Sequence, residues 1–489
     1  MPARPILGSS VALIVEGDPA RVLWAVRTED APSLQGFRVV PGGLRDPLDA
    51  VLPNDGGDEI EARVTCLREL FEETGILLAH GADTLDAELE GELRDALLEG
   101  EPDAVARFER AGLRFRTAAL EPIGRWITPE FAPSRYDTRF FAMRVPAPIP
   151  PSLDLREVDG VEWIAVPEVL EAFGRGELLL TPPVAELFRN LADGTLDGSA
   201  MRAIYGAAGE PAQRWEVVPG VQMLPFRTPT LPPATHTNSY LLGTGEAILV
   251  EPATPYGEER ERMLRWVLEA KQSGIEPIAI FATHHHIDHV GAAADLVAQL
   301  GLPLWAHAET AARLDGLEVA RFLEHDERVR LDGPVPMTIR AIHTPGHAPG
   351  HLCLFEEASR VLIAGDMVAS QGTILVEPRD GDMALYLASL ATMKALRPSM
   401  LLPAHGMPIR DPDALLDHYV AHRLEREAKV RAALQRHGGP AAPMDLVPDA
   451  YADAPAVVWP LAAHALEAHL IKLERDGEAR RGPEGWLPA

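Results

Sequence analysis

The stretch THHHIDHVG, residues 283–291, places four histidines and an aspartate in nine positions. It follows the short apolar run PIAIFA, which reads as a buried strand after a turn. The imidazoles therefore stand just past the C-terminal end of a strand, where open α/β sheets collect their ligands. A His-rich surface loop would fit the same nine letters, so the rest of the chain has to choose. Further candidates follow in order, each at the end of an apolar run: His343, His347 and His351 in IHTPGHAPGH, Asp366 in VLIAGDMV and His405 in LLPAHG. Unrelated core histidines fit any one of these positions but fit the ordered set poorly.

Imidazole and carboxylate donors suit zinc, iron or manganese. The two cysteines, Cys66 and Cys353, lie far apart, which excludes a disulfide framework and a cysteine-based zinc site. The series His-x-His-x-Asp-His, a distant His, Asp after Gly, and a final His resembles the metallo-β-lactamase superfamily over about residues 215–410. That resemblance implies an αββα sandwich and a dinuclear centre of two zinc ions, or of iron or manganese. One metal falls to His284, His286 and His347, the other to Asp288, His289 and His405, with Asp366 between them. His285 then points away, His343 and His351 are supporting residues, and Glu251 in LVEPAT supports the site where the family usually has Asp. Two cations sharing a water lower its pKa from about 15.7 to roughly 7, so hydroxide is available at neutral pH. Asp288 would orient it. The implied reaction is hydrolysis of an ester, thioester, amide or phosphodiester.

A second cluster lies near the N-terminus, in RELFEETGILL. Glu69, Glu72 and Glu73 share one helix face, an arrangement that repels itself unless something positive is near. Arg68 precedes them and Gly75-Ile76 follow, which resembles the second half of a Nudix box. The resemblance implies an α/β/α sandwich over about residues 8–192, magnesium or manganese on Glu69, Glu72 and Glu73, catalysis involving Glu72 and Glu73, and Arg68 as a brace. A long insert separates Gly42-Gly43 from Arg68. Counted back from Arg68, the usual mid-box glutamate falls on Ile60, with Asp58, Glu59 and Glu61 beside it. This is similar to the branch that includes coenzyme A diphosphatases, as are FRVVPGG, WITPEFAPSRYDTRFF and LTPPVAELFRNL.

The chain of 489 residues thus reads as a multidomain α/β and α+β protein: a Nudix domain to residue 192, a linker over 193–214, the metallo-β-lactamase domain over 215–410, and a small winged helix over 411–489. Strands are expected at 9–15, 21–27 and 137–145, and a helix over 59–75 ended by Gly75. The last 79 residues resemble the winged-helix tail of the branch that includes a mitochondrial endoribonuclease acting on single-stranded RNA. They carry 13 acidic against 9 basic residues, the reverse of a phosphate-binding surface. His418, His422, His464 and His469 within them read as packed or solvated. The net charge of −28 likewise disfavours a broad nucleic-acid surface, and the N-terminal apolar run is too short for a signal peptide, so a cytoplasmic protein is expected. The expectation is a bifunctional hydrolase of a small-molecule substrate. An acyl-coenzyme A, which has both a thioester and a diphosphate, meets both halves; a nucleotide derivative meets the first. Single-stranded RNA, or a Nudix domain serving as a non-catalytic sensor, are the alternatives.

Overall fold

A computed structural model describes residues 4–27, 37–128, 135–152, 158–175, 177–196, 215–370 and 372–489. Most of the expected linker, 197–214, lies outside the described residues. The chain divides into two compact units, Met1–Pro219 and Gly220–Ala489.

In the first unit the strand Ile6–Val15 is central. It pairs antiparallel with Arg21–Arg27 and Gly42–Leu44, and parallel with Tyr136–Val145. Its side chains alternate between two cores, Val11 and Leu13 on one face, Ala12 and Ile14 on the other. Both faces are apolar because both are covered. The helices Ile60–Thr74, Ala87–Leu98 and Ala104–Arg110 pack on the first face; Val166–Gly174 and Pro182–Ala192 pack on the second. The result is an α/β/α sandwich. The Ile60–Thr74 helix ends at Gly75, in the left-handed conformation with φ 70°. The stretch 82–110, helix-prone throughout by sequence, is two helices interrupted around Gly100 and Pro102, since proline cannot continue a helix interior.

In the second unit one sheet runs in the order Val221–Arg227, His236–Leu242, Glu246–Val250, Glu276–Phe281, Leu304–Ala306, Arg321–Phe322. The other runs Arg328–Leu331, Met337–His343, Leu352–Glu356, Val361–Ala369, Met400–His405. Helices Gly257–Gln272 and Ala293–Leu300 pack outside the first sheet, Met383–Ala395 outside the second, giving four layers, αββα. The sheets are tied where the histidines gather: Asn238 Nδ2 donates to Pro403 O at 2.9 Å, Tyr240 Oη to the same carbonyl at 2.7 Å, and Leu352 N–H to Thr283 O at 3.0 Å.

The helix Pro412–His437 belongs to two cores at once. Leu416 and Tyr419 join the core of Met383, Tyr386 and Leu401, whereas Val430, Ala433 and Leu434 join that of Leu446, Leu470 and Trp486. Helices Pro443–Ala450 and Trp459–Arg475 and a hairpin of Ala479–Gly482 with Gly485–Pro488 complete this C-terminal module. Among the described residues no helix is long and apolar enough to cross a membrane.

Phe141 is fully buried in the helix-covered core of the first unit. Phe141→Ala is therefore expected to destabilise that unit by ~3–5 kcal/mol, read as a shifted denaturation midpoint; a loss under about 1 kcal/mol would mean that this core is not packed as described.

Candidate active sites

His284 and His286 lie between Phe281, the last residue of its strand, and a short helical turn, Ile287–Val290, which carries Asp288 and His289. His347 comes from the turn after Met337–His343, His405 from the end of its strand. Asp366 arrives differently from the sequence expectation. It sits inside the strand Val361–Ala369 rather than beyond it, at a register shift beside Gly365. Gly365 has φ +48°, and a Cβ there would stand 2.4 Å from His351 Nε2, so the kink that aims Asp366 requires glycine.

These residues form two convergent sets. In one, His286 Nδ1 lies 3.0 Å from both His284 Nε2 and His347 Nε2. In the other, Asp288 Oδ2 lies 3.8 Å from His289 Nε2 and 3.7 Å from His405 Nε2. Asp366 reaches both: Oδ2 is 3.6 Å from His347 Nε2 and 3.5 Å from His289 Nε2, and Oδ1 is 3.2 Å from His405 Nε2.

The far side of each ring decides which nitrogen faces inward. His347 Nδ1 donates to Leu375 O at 2.8 Å and His405 Nδ1 to His236 O at 2.9 Å. His286 Nε2 lies 3.3 Å from Asp380 Oδ2, and His289 Nδ1 lies 3.1 Å from Glu251 Oε1. Thr283 Oγ1 donates to Glu251 Oε1 at 2.6 Å, which leaves its oxygen to accept from His284 Nδ1 at 3.0 Å. With the outer nitrogen of each ring facing an acceptor, though that of His289 makes no hydrogen bond among the described residues, five inner nitrogens and two carboxylates converge. Bare lone pairs at these separations repel, and His289 Nε2 is buried without a hydrogen bond among the described residues. The donor set fits divalent cations.

The electrostatics agree. Burial, reinforced by neighbouring imidazoles, holds His284 well below its ordinary pKa, and burial outweighs Asp366 to push His347 down to about 4. Both rings are neutral, as ligands must be. Burial also opposes charge on His289, but Glu251, Asp366 and Asp288 together outweigh it and raise its pKa. That pocket favours positive charge.

His285 turns to Asp380, its Nε2 3.3 Å from Oδ2. His351 accepts the Asp366 N–H at 3.1 Å, and His343 stacks on His307 with ring centroids 4.3 Å apart. His418 stacks with His422, His464 lies near Glu377, and His469 lies near Glu427. None of these joins either set. Sequence reasoning missed Thr283 and Asp380. Thr283 stands next to the histidines and could have been suspected; Asp380 lies in an irregular turn with no periodic signal.

In the first unit, Arg68 is the hub. It donates from Nη1 to Glu72 Oε2 at 2.7 Å and from Nη2 to Leu44 O at 2.8 Å, and Nη2 lies 3.0 Å from Glu69 Oε1. Gly42 N–H donates to Glu73 Oε2 at 3.1 Å, and a Cβ on Gly43 would fall 2.4 Å from the Glu69 carboxylate. Burial raises the Glu72 pKa against the pull of Arg68. The three glutamates do not close on one point; among the described residues the convergent ligand sets all lie in the second unit.

Arg68 Nε donates to Asp49 Oδ1 at 2.7 Å, and this fully buried carboxylate also accepts from Thr65 Oγ1 at 2.7 Å and Asp46 N–H at 2.8 Å. The mid-box acid is thus Asp49, which corrects the count that ended at Ile60. Ile60 merely opens the helix, and Glu59 pairs with Arg139 at 2.9 Å. Counting forward from Gly43 finds Asp49, because the extra residues lie after it. A cleft of about 380 Å³ adjoins this helix, lined among others by Gly8, Arg45, Thr65 and Arg139.

The four layers and the paired ligand sets at their strand ends define a class, metal-dependent hydrolases of the αββα type. Comparison with known proteins narrows it. The family profile described as metallo-beta-lactamase superfamily matches residues 232–405, the beta-lactamase associated winged helix domain 442–486, and the NUDT19 Nudix domain 26–190. The beta-lactamase-like protein 2 homolog of Caenorhabditis elegans is 32% identical over 246 residues, covering 49% of this chain and 79% of that protein. Thioesterase pkgB of Emericella nidulans is 31% identical over 203 residues, covering 41% of this chain and 55% of that protein. The crystal structure of a beta-lactamase domain protein from Burkholderia ambifaria aligns with a TM-score of 0.50 at 25% identity, covering 56% of this chain and 93% of that one. The chain belongs to the metallo-β-lactamase superfamily and also carries a Nudix domain and a winged helix. Both catalytic families are hydrolases.

Two substitutions test these geometries. Arg68→Met strands two buried carboxylates and is expected to cost ~3–5 kcal/mol by denaturation; a near-neutral result would remove Arg68 from the hub. Gly365→Ala must displace His351 or Asp366, so metal content by mass spectrometry is expected to fall; an unchanged content in folded protein would show that the kink is dispensable.

Proposed function

We propose that the second unit hydrolyses an ester or thioester at a dinuclear centre, and that the Nudix domain cleaves a nucleoside diphosphate linkage, with acyl-coenzyme A as the substrate class offering both bonds. The reading rests above all on Asp366, one carboxylate within 3.6 Å of ligand atoms from both sets. The thioesterase name of one relative supports a thioester, and the acidic C-terminal module favours a small molecule over RNA.

His284, His286 and His347 would hold one cation, Asp288, His289 and His405 the other; zinc suits them, and iron or manganese are the alternatives. Bound cations supply a water acidic enough to be deprotonated near pH 7 and positive charge for the oxygen of the carbonyl under attack. Asp366 would lower the mutual repulsion of two cations held by these sets. Asp288 orients the attacking water and takes its proton. The outward contacts of the rings set their tautomers, so that the inner nitrogen of each would be the one offered to a cation. In the Nudix domain, Glu69, Glu72 and Glu73 would hold magnesium or manganese through oxygen. Arg68 fixes the helix face, and Gly42 N–H orients Glu73.

A panel of acyl-coenzyme A thioesters is the direct test; no hydrolysis of any of them would sink the thioesterase reading. Asp366→Ala is expected to lower metal content at least as much as Asp288→Ala, because it removes charge from between two cations as well as a donor. Both should nearly abolish hydrolysis by the second unit and spare a magnesium-dependent diphosphatase. Full occupancy in Asp366→Ala would rule out the bridge. Conversely, Glu73→Gln is expected to abolish the diphosphatase and spare the thioesterase; an unaffected diphosphatase would favour the sensor alternative.

A further inference from the structure

The C-terminal helices meet the metal centre through an intermediary, the irregular segment 372–382. This segment offers two acceptors to the outer sides of metal-binding rings. Leu375 O takes the His347 Nδ1 proton at 2.8 Å, and Asp380 Oδ2 stands 3.3 Å from His286 Nε2. Both rings belong to the His284/His286/His347 set. In the other set, His289 and His405 are oriented by Glu251 and His236 O, which belong to the sandwich itself.

The same segment is pinned from the C-terminal side. Arg423, buried on the Pro412–His437 helix, donates to Ile374 O and lies with its guanidinium 5.2 Å from the Tyr386 ring centroid. Tyr419 Oη, one turn earlier, accepts from Ala369 N–H at 3.0 Å, and its proton faces Ala369 O at 3.2 Å and Gly372 O at 3.3 Å. From the Trp459–Arg475 helix, Arg475 pairs with the Asp382 carboxylate, and His464 Nδ1 lies 3.8 Å from Glu377. The segment reaches back to the His347 turn, since Asp382 N–H donates to Gly346 O at 2.8 Å. Its holding points, at 372, 374, 377 and 382, bracket the two acceptors at 375 and 380.

We infer that the C-terminal module is a positioning device for one half of the metal centre: Arg423, Tyr419 and Arg475 fix segment 372–382, and Leu375 and Asp380 thereby fix which nitrogens of His347 and His286 face the metal. The inference rests on the dinuclear reading above. Its physical basis is tautomeric. An imidazole whose outer proton has no acceptor can place that proton on the inner nitrogen or swing its ring, and either removes a ligand. Outer partners of metal-binding histidines typically contribute about 10- to 100-fold in metal affinity. The consequence is asymmetric: loosening the segment weakens one site and spares the other.

The test uses full-length protein with Arg423→Met, Arg475→Met, Asp380→Ala and Asp380→Asn, and Arg436→Met as a control on the same helix as Arg423, where Arg436 pairs with exposed Asp449. Zinc affinities at both sites come from chelator competition, and the cobalt-substituted protein shows exchangeable imidazole N–H signals by paramagnetic NMR. Asp380→Ala and Arg423→Met are expected to weaken one site about 10- to 100-fold and spare the other. Arg475→Met should shift the same site in the same direction. Asp380→Ala should also lose one exchangeable N–H signal, which Asp380→Asn, still an acceptor, should largely restore. Arg436→Met should match the wild type. Arg475 is half-exposed, so its substitution decides the matter even if Arg423→Met fails to fold. Unchanged affinities in folded Arg475→Met and Asp380→Ala, or equal weakening at both sites, would overturn the inference. Wild-type protein that takes up no zinc would instead overturn the dinuclear reading, and this inference with it.

Discussion

The buried carboxylate of Glu251 governs the second unit. It is fully buried, has φ 58°, and follows the Glu246–Val250 strand. One of its oxygens serves both ligand sets, since Oε1 lies 3.1 Å from His289 Nδ1 and accepts from Thr283, which in turn faces His284. Burying such a charge costs several kcal/mol unless it is paired. In the proposed dinuclear site the compensation is the positive charge that the two sets would collect. Support and cations would therefore be coupled: the carboxylate orients the rings that would hold the charge that makes its own burial tolerable.

The first unit uses the same logic with a permanent cation. Asp49 is buried against the guanidinium of Arg68, and Arg68 holds Glu72 and Glu69 in turn. In both units a fully buried acid orients its polar neighbours, Glu251 the His289 ring and Thr283, Asp49 the Arg68 guanidinium. The difference lies in when the positive charge arrives. Arg68 is always charged, so the Nudix helix face is organised by the protein alone, whereas the histidine cluster is complementary to charge it must acquire.

Backbone geometry converts these electrostatics into position. The strand carrying Asp366 would point that residue elsewhere if its ladder were regular; the shift at Gly365 re-aims it, and His351 receives its amide. The strand carrying Gly43 runs so close to Glu69 that no side chain fits between. Each glycine stands where a carboxylate comes close to the backbone or leaves a strand at an unusual angle.

Much of this was legible in the chain. Strand ends follow from apolar runs, and the types of residue after them mark the ligand candidates, while the two folds followed from the families those motifs resemble. The helix over 59–75 was equally plain, because its periodicity and Gly75 are local signals. What the sequence could not give is whatever depends on a partner distant along the chain. Asp49 was hidden because the insert lies on its far side, and counting back from Arg68 passed over it. Asp380 was hidden because an aspartate in a turn has no signal until folding brings it beside His286, 94 residues away. The kink at Gly365 likewise exists only against the neighbouring strand. Residue type and spacing determine which atoms can bind a metal; only the tertiary structure decides which nitrogen each ring presents, because that choice belongs to the groups packed behind it.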